Sequence, residues 1–105
     1  MLVKHKKLNL PLLTIVISNC QYIEDKNFYE DLLDNIYESI FKHIPFYDMY
    51  VYKDNRCEVL SFYYEDTEKA NKHLSIIYEY LDLIKETERK TKIQVTLYDR
   101  KDMQR

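Results

Sequence analysis

The sequence of 105 residues contains no glycine. A phosphate-binding loop, a dinucleotide-binding fingerprint and the nucleophile turn of a serine hydrolase all need glycine. In each of them the backbone approaches a ligand closely or takes a positive φ angle. The absence of glycine therefore excludes the usual forms of these three kinds of site.

Cysteine is also scarce. The two cysteines, Cys20 and Cys57, lack the CxxC spacing and the accompanying histidines that zinc sites show. A disulfide framework would need more cysteines, so reduced thiols are the expected state. We accordingly expect no metal and no cofactor.

Long apolar runs are missing as well. The apolar segment 8–17 is interrupted by Pro11 and falls short of the roughly 20 residues that a membrane-spanning helix requires. Asn19 is bulkier than the small residue that a signal-peptide cleavage site needs. We therefore expect a cytoplasmic protein without a membrane partner.

The composition is that of one globular domain. With 46% hydrophobic residues in 105, the chain can build a single core without disulfides or metals. We predict one domain over 1–105, with a basic arm at 1–10 and a polar tail at 99–105.

Residues 46–64 predict a β-hairpin. Two β-rich runs flank Asp54 and Asn55, and both residue types tolerate the positive φ angles of a tight two-residue turn. A turn at this place pairs residue i with residue 109 minus i. One face of the hairpin is then apolar and the other is rich in tyrosine.

Alternating and helical patterns predict the remaining elements. Strands are expected over 12–18 and 93–98, and helices after an N-cap at Asn27 and after an N-cap at Asp66 or Thr67. Pro45 should end the first helix. The expected core residues of the two helices are Phe28, Leu32, Leu33, Ile36, Tyr37, Ile40 and Ile44, and Ala70, Leu74, Ile77, Leu81 and Ile84.

The resulting order is strand, helix, strand, strand, helix, strand. This βαββαβ order is typical of the ferredoxin-like α+β fold. We therefore predict a four-stranded antiparallel sheet of order 4-1-3-2 with two helices on one face.

The sheet face away from the helices suggests a homodimer. In this fold, nucleic-acid-binding members stack bases on aromatic residues of the two central strands, but here most tyrosines fall on the edge strands and the net charge is −2. Direct nucleic-acid binding is therefore disfavoured. Low-charge tyrosine surfaces are typical of interface cores. The predicted interface is either part of this face, with Tyr50, Tyr52 and Tyr63, or the apolar edge of the second helix, with Ile76 and Leu83.

Acidic residues concentrate in the middle of the chain. Residues 22–68 hold twelve acidic and four basic residues, a balance of −8. Four of the acids share the outer face of the first predicted helix: Glu30, Asp31, Asp34 and Glu38. They are either a solvated helix face or a surface that binds a basic partner.

Catalytic patterns are absent. His5, His43 and His73 are scattered over different elements, and each is expected to be a surface or capping residue rather than a catalytic one. The CRISPR adaptation protein of the same predicted fold carries an aspartate at the end of its first strand, where this chain has Ser18 and Asn19. We therefore expect no enzyme.

A short, glycine-free chain rich in tyrosine, isoleucine and acids, with this element order, resembles small virus-encoded anti-CRISPR proteins. The nearest resemblance is to the dimeric type I-D inhibitors of archaeal rod-shaped viruses. The resemblance implies stoichiometric inhibition. The protein would bind a basic, nucleic-acid-processing complex of the host, for example a CRISPR effector subunit, through Glu30, Asp31, Asp34 and Glu38.

Two alternatives remain open. One is a ferredoxin-like regulatory, small-ligand or nucleic-acid-binding module that dimerises through its sheet. The other is an enzyme that uses an acidic cluster and a metal. An inhibitor acts at one-to-one stoichiometry and binds less tightly at high salt, whereas an enzyme turns over.

Overall fold

The computed structural model describes residues 9–44 and 46–99. Most of the predicted arm (1–10) and tail (99–105), as well as Pro45, lie outside the described residues. The elements are β1 (Leu12–Ser18), α1 (Lys26–His43), β2 (Asp48–Lys53), β3 (Cys57–Tyr63), α2 (Thr67–Thr87) and β4 (Lys92–Tyr98). A 3₁₀ turn over Cys20–Tyr22 joins β1 to α1.

The four strands form one antiparallel sheet in the order β2-β3-β1-β4. This is the predicted order 4-1-3-2 counted from the other edge, so the ferredoxin-like prediction is confirmed. In the two central strands, β1 and β3, every second residue is buried and the residues between them are partly exposed. Successive side chains of a strand point to opposite sides, so one face of the sheet can be fully buried while the other stays open.

Both helices cover the apolar face of the sheet. Leu13, Ile15 and Ile17 of β1 and Leu60 and Phe62 of β3 are fully buried there. They belong to one cluster with the buried helix residues, which are Tyr29, Leu32, Leu33 and Ile36 of α1 and Ala70, Ile77, Leu81 and Ile84 of α2. Removing one such side chain from water contributes about 1.5–3 kcal/mol, so this cluster is the main stabilising feature of the fold.

The helix patterns were predicted with three errors on the buried side, one of which is Tyr37, predicted to lie in the core but only partly buried. Phe28 is 37% exposed, and its neighbour Tyr29 takes the core position instead. Leu74 is only partly buried, whereas His73 beside it is fully buried. The side chain of Ile40, also predicted to lie in the core, is outside the described residues.

The register of the hairpin differs from the prediction by two residues. Lys53 pairs with Glu58. In each pair between β2 and β3 the two residue numbers add up to 111, whereas the prediction was 109. Asp54 stabilises the longer connection because its Oδ1 accepts hydrogen bonds from the N–H groups of Arg56 (2.7 Å) and Cys57 (2.8 Å). These bonds and the hydroxyl of Tyr52 lower the pKa of Asp54. A shift of two residues leaves every side chain on its predicted face.

Aspartates begin both helices. Asp25, not the predicted Asn27, caps α1, since its Oδ1 accepts from the N–H of Phe28 at 3.1 Å. Asp66 caps α2 as predicted, and accepts from the N–H of Lys69 at 2.8 Å. Each cap satisfies an N–H group that has no partner inside its helix.

His73 lies in the core rather than on the surface expected for it. The hydroxyl of Tyr64 is hydrogen-bonded to its Nδ1, and the rings of Phe62 and Tyr64 pack against its imidazole. Burial lowers the pKa of His73 to about 4, and a hydrogen bond with the backbone of Ile36 offsets part of this effect. The imidazole is therefore neutral at physiological pH.

Candidate functional site

The four predicted partner-binding acids share an exposed surface of α1, which we call the acidic face. Glu30, Asp31, Asp34 and Glu38 are all exposed. Glu30 forms a long ion pair of 3.8 Å with Lys53 of β2, so the charge of the acidic face is partly offset at one end. Among the side chains that the structure describes, Asp31 and Asp34 have no ion-pair partner.

The three tyrosines of the predicted dimer interface lie together on the open face of the sheet. The rings of Tyr50 and Tyr63 contact each other edge to face at 6.0 Å. Tyr50 is 50% exposed and Tyr52 57%, and their hydroxyls donate to the carboxylates of Asp48 (3.1 Å) and Asp54 (2.9 Å). Polar tips and exposed rings are typical of surfaces that another protein covers.

Ile76 and Leu83 lie on a different surface from the tyrosines. Both belong to α2, on the opposite side of the sheet. Ile76 packs partly against the core, whereas Leu83 is exposed. The structure therefore separates the five predicted interface residues into a sheet surface and a helix surface.

The register of the strands defines the rest of the open face. Ser61 lies beside Tyr50, with Thr14 on the other side of Ser61. Val59 lies beside Tyr52, with Val16 on the other side of Val59. The centre of the face is thus apolar or weakly polar and carries no aromatic residue except Tyr63 at its margin, which does not favour the stacking of bases.

A cavity of about 290 Å³ lies at one end of the molecule, between the 3₁₀ turn, the start of α1 and the tip of the hairpin. The sequence did not predict this site. Its lining residues are Cys20, Gln21, Ile23, Lys26, Tyr29, Glu30, Lys53, Asp54, Asn55 and Glu58.

The loop that borders the cavity is fixed from two sides. Glu88, a buried residue after α2, accepts hydrogen bonds from the N–H groups of Glu24 (2.7 Å) and Asp25 (3.1 Å) through its two carboxylate oxygens. The N–H of Cys20 donates to the carbonyl of Arg56 at 2.8 Å, which ties the 3₁₀ turn to the hairpin. Hydrogen bonds thus hold the walls of the cavity to the turn of the hairpin and to the residue that follows α2.

Glu58 is a buried acidic residue in the lining of the cavity. Glu58 is only 4% exposed, and its Oε1 accepts a hydrogen bond from the hydroxyl of Tyr29 at 2.9 Å. Burial, reinforced by the charge of Glu58, raises the pKa of Tyr29, so this hydroxyl stays protonated and acts as a donor.

The thiol of Cys20 lies next to this pair. Its Sγ is 3.9 Å from the hydroxyl of Tyr29 and donates to the carbonyl of Ile17 at 3.3 Å. Burial raises the pKa of the Cys20 thiol despite its hydrogen bond with the Tyr29 hydroxyl. A neutral thiol is a poor nucleophile, so the arrangement is suited to binding rather than to attack by sulfur.

One sequence signal could have indicated this cavity. Glu58 alternates with Leu60 and Phe62, and the period of two therefore places an acid on the apolar face of β3. Tyr29 was missed because Phe28 also fits helical spacing with Leu32. The cavity itself depends on how the loop and the hairpin tip pack against each other. The residue pattern of a single segment cannot predict that contact.

Two further properties concern metals and membranes. In the part of the chain that the structure describes, no three His, Cys, Asp or Glu side chains converge in a way that could hold a metal ion. None of the described helices is both long and apolar enough to cross a bilayer.

The chain has no match among protein-family models or among curated proteins, but its fold is found in solved structures. A conserved protein from Methanosarcina mazei Go1 is similar with a TM-score of 0.65 and 14% identity, over 90% of this chain and 96% of that protein. SnoaB, a cofactor-independent oxygenase from Streptomyces nogalater, has a TM-score of 0.64 and 6% identity, over 86% and 91%.

An antibiotic biosynthesis monooxygenase is similar with a TM-score of 0.59 and 16% identity, over 84% of this chain and 96% of that protein. These similarities do not support the prediction that the chain is not an enzyme, because oxygenases are among the proteins of similar fold. A fold by itself does not specify an activity. At these identities the similarities establish a ferredoxin-like fold.

Proposed function

We propose that the protein is a non-catalytic binding protein that inhibits a basic, nucleic-acid-processing complex of a host cell, in the manner of anti-CRISPR proteins. The observation that carries this proposal is the acidic face of α1, where four carboxylates are exposed on one helical surface. Glu30 has a counter-ion at 3.8 Å, whereas Asp31 and Asp34 have none among the described residues.

Electrostatics would supply both selectivity and speed to such an interaction. A surface with one sign of charge attracts a complementary partner and raises the association rate, and salt weakens this effect. The like-charged pairs cost only about 0.2–0.5 kcal/mol each within the helix, so they are compatible with a stable α1.

The proposed functional unit is a homodimer formed through the open face of the sheet. Tyr50 and Tyr52 expose about half of their surfaces there, beside the apolar Val59 and Val16. Such a dimer would leave the acidic face of each protomer accessible, because the two helices lie on the other side of the sheet.

Light scattering at micromolar concentration tests the dimer. The expected mass is twice the 12.9 kDa of one chain. Tyr50→Lys should shift the protein to a monomer, because the charge would be buried without a partner. Leu83→Lys, on the exposed side of α2, should leave the dimer intact and is the control. A monomeric wild-type protein would contradict the proposed assembly.

A charge reversal tests the binding function. Asp31→Lys with Asp34→Lys should abolish inhibition of a purified type I-D CRISPR effector in a DNA-cleavage assay and lower its affinity for the protein. The matched control is Glu79→Lys with Asp82→Lys, which reverses two exposed acids of the same spacing on α2.

Neither double variant should lose much stability, since surface substitutions usually change it by less than about 0.5 kcal/mol each. Wild-type inhibition should be complete at one protein per effector and should weaken with salt. If both variants inhibit like the wild type, or if the wild type does not inhibit at all, the acidic face is only a solvated helix surface.

A second candidate function is the binding or conversion of a small molecule. The specific observation that favours it is the cavity beside the buried Tyr29–Glu58 pair. SnoaB and the antibiotic biosynthesis monooxygenase share the fold at low identity. Turnover of a substrate at substoichiometric protein would support this function against the first one.

A further inference from the structure

Glu58 lines the cavity and forms no ion pair with any lysine or arginine in the described part of the chain. Its Oε1 accepts from Tyr29, while its Oε2 forms no hydrogen bond with any described residue, although Glu58 is only 4% exposed. Lys53 pairs with Glu58 in the strand ladder, but its Nζ lies 3.8 Å from Glu30 and its side chain is exposed. The nearest lysine of β2 is therefore engaged at the surface and not with Glu58.

A buried carboxylate with one hydrogen bond is unfavourable unless something else compensates its charge. Taking a carboxylate out of water costs several kcal/mol, and a neutral hydroxyl donor offsets only part of this cost. An apolar residue at this position of β3 would continue the pattern of Leu60 and Phe62 and remove the cost. The carboxylate is thus better explained by a partner that enters the cavity.

The remaining lining residues limit the chemistry of that partner. Two lysines, Lys26 and Lys53, and two acids, Glu30 and Asp54, line the mouth. Their positive and negative charges balance. The carboxylate of Glu58 is then the uncompensated charge inside. Ile23 and the ring of Tyr29 add apolar walls. The volume of about 290 Å³ is at the low end for ligand sites and fits a small molecule.

We propose that this cavity is a binding site for a small primary ammonium compound, whose cationic head pairs with Glu58 and whose apolar body lies against Tyr29 and Ile23. The ammonium group supplies both charge and donors to the free carboxylate oxygen. The proposal rests on the second candidate function and specifies its ligand class. The cavity shares Glu30 with the acidic face, but Glu58, which would pair with the ammonium group, is not one of the four residues of that face.

The test is a titration with defined probes followed by two-dimensional NMR of the labelled protein. The probes are ethylamine, butylamine and 2-phenylethylamine at neutral pH, each compared with the alcohol of the same carbon skeleton. At least one amine should shift the amide signals of Cys20, Tyr29 and Glu58 saturably. It should bind at least about tenfold more tightly than its alcohol, which corresponds to about 1.4 kcal/mol.

Variants locate the interaction. Glu58→Gln keeps the size of the side chain and an acceptor for Tyr29, but removes the charge, and should weaken amine binding about tenfold or more. Glu86→Gln removes an exposed carboxylate of α2 and should leave the affinity unchanged. If Glu58→Gln fails to fold, the preference of the wild type for the amine over its alcohol still tests the proposal.

The possible outcomes test the ammonium class of the ligand and the existence of the binding site separately. Equal binding of alcohol and amine would overturn the ammonium assignment but keep the second candidate function. Absence of any saturable shift up to millimolar concentrations would overturn both. Amine binding that persists in Glu58→Gln would show that Glu58 is only the hydrogen-bond partner of Tyr29.

Discussion

Acidification should destabilise this protein through His73. The imidazole is fully buried between Phe62 and Tyr64, and its pKa is lowered to about 4, chiefly by burial. In the unfolded chain the same group has its ordinary pKa of about 6.5. Between pH 6.5 and 4 the unfolded state therefore binds more protons than the folded state, so stability falls as the pH falls.

The magnitude follows from these two pKa values. Linkage predicts that His73 alone lowers the free energy of unfolding by about 2 kcal/mol between pH 7 and pH 5, and by about 3 kcal/mol at pH 4. Above pH 7 its contribution to the pH dependence vanishes. A loss of 2 kcal/mol is a large part of the total stability of a domain of this size, typically about 5–15 kcal/mol.

Denaturant unfolding at a series of pH values measures the effect. The carboxylates of the protein also titrate, so the informative quantity is the difference between wild type and His73→Leu. The Leu variant starts from a lower stability, because it leaves the hydroxyl of Tyr64 without its acceptor. The gap between the two proteins should narrow by about 2 kcal/mol from pH 7 to pH 5.

Tyr64→Phe is the matched control. It removes the hydrogen bond to His73 but keeps the titrating imidazole in its buried place, so its curve should keep the wild-type dependence on pH. Parallel curves for wild type and His73→Leu between pH 7 and pH 5 would refute the reasoning. The pKa of His73 in the folded protein would then be close to its ordinary value.

Two further predictions concern the fold. Ile36→Ala and Ile77→Ala, each at a fully buried position, should destabilise the protein by about 2–5 kcal/mol in denaturant melts, whereas Tyr98→Ala at the exposed edge should cost the monomer clearly less. Equal losses would mean that the faces are wrongly assigned. Asp25→Ala should cost about 1 kcal/mol through loss of the α1 cap, and Asn27→Ala should be nearly neutral by the same melts; the reverse result would restore Asn27 as the cap.

Local patterns were sufficient for the architecture. Alternation in Leu13, Ile15 and Ile17 defines one face of β1, and the same period in β3 defines the matching face of its neighbour. Helical spacing and an aspartate cap at Asp66 predict α2 closely. These features depend on residues near one another in sequence, and the requirement that each apolar face be covered then leaves few possible topologies.

The errors in the predicted hairpin register, helix cap and core residues arose where the local sequence allows more than one arrangement. The connection between β2 and β3 is stabilised by the side chain of Asp54, which accepts from two backbone N–H groups and so favours a longer turn than the expected one. Asn27 and Asp25 are both residue types that cap helices. Phe28 and Tyr29 are neighbours, and helical spacing allows either of them to be the core residue at the start of α1. Which option is adopted depends on packing against the sheet.

Only the tertiary structure decided the environments of the charged and titratable groups. Glu58, Tyr29 and Cys20 come from three separate elements, and His73 is enclosed by aromatic residues of β3 and the segment after it. The sequence by itself determined which face of each strand and helix is apolar, because that property is periodic along the chain. Burial, ion pairing and the cavity depend on contacts between distant segments, which arise only when those faces are packed together.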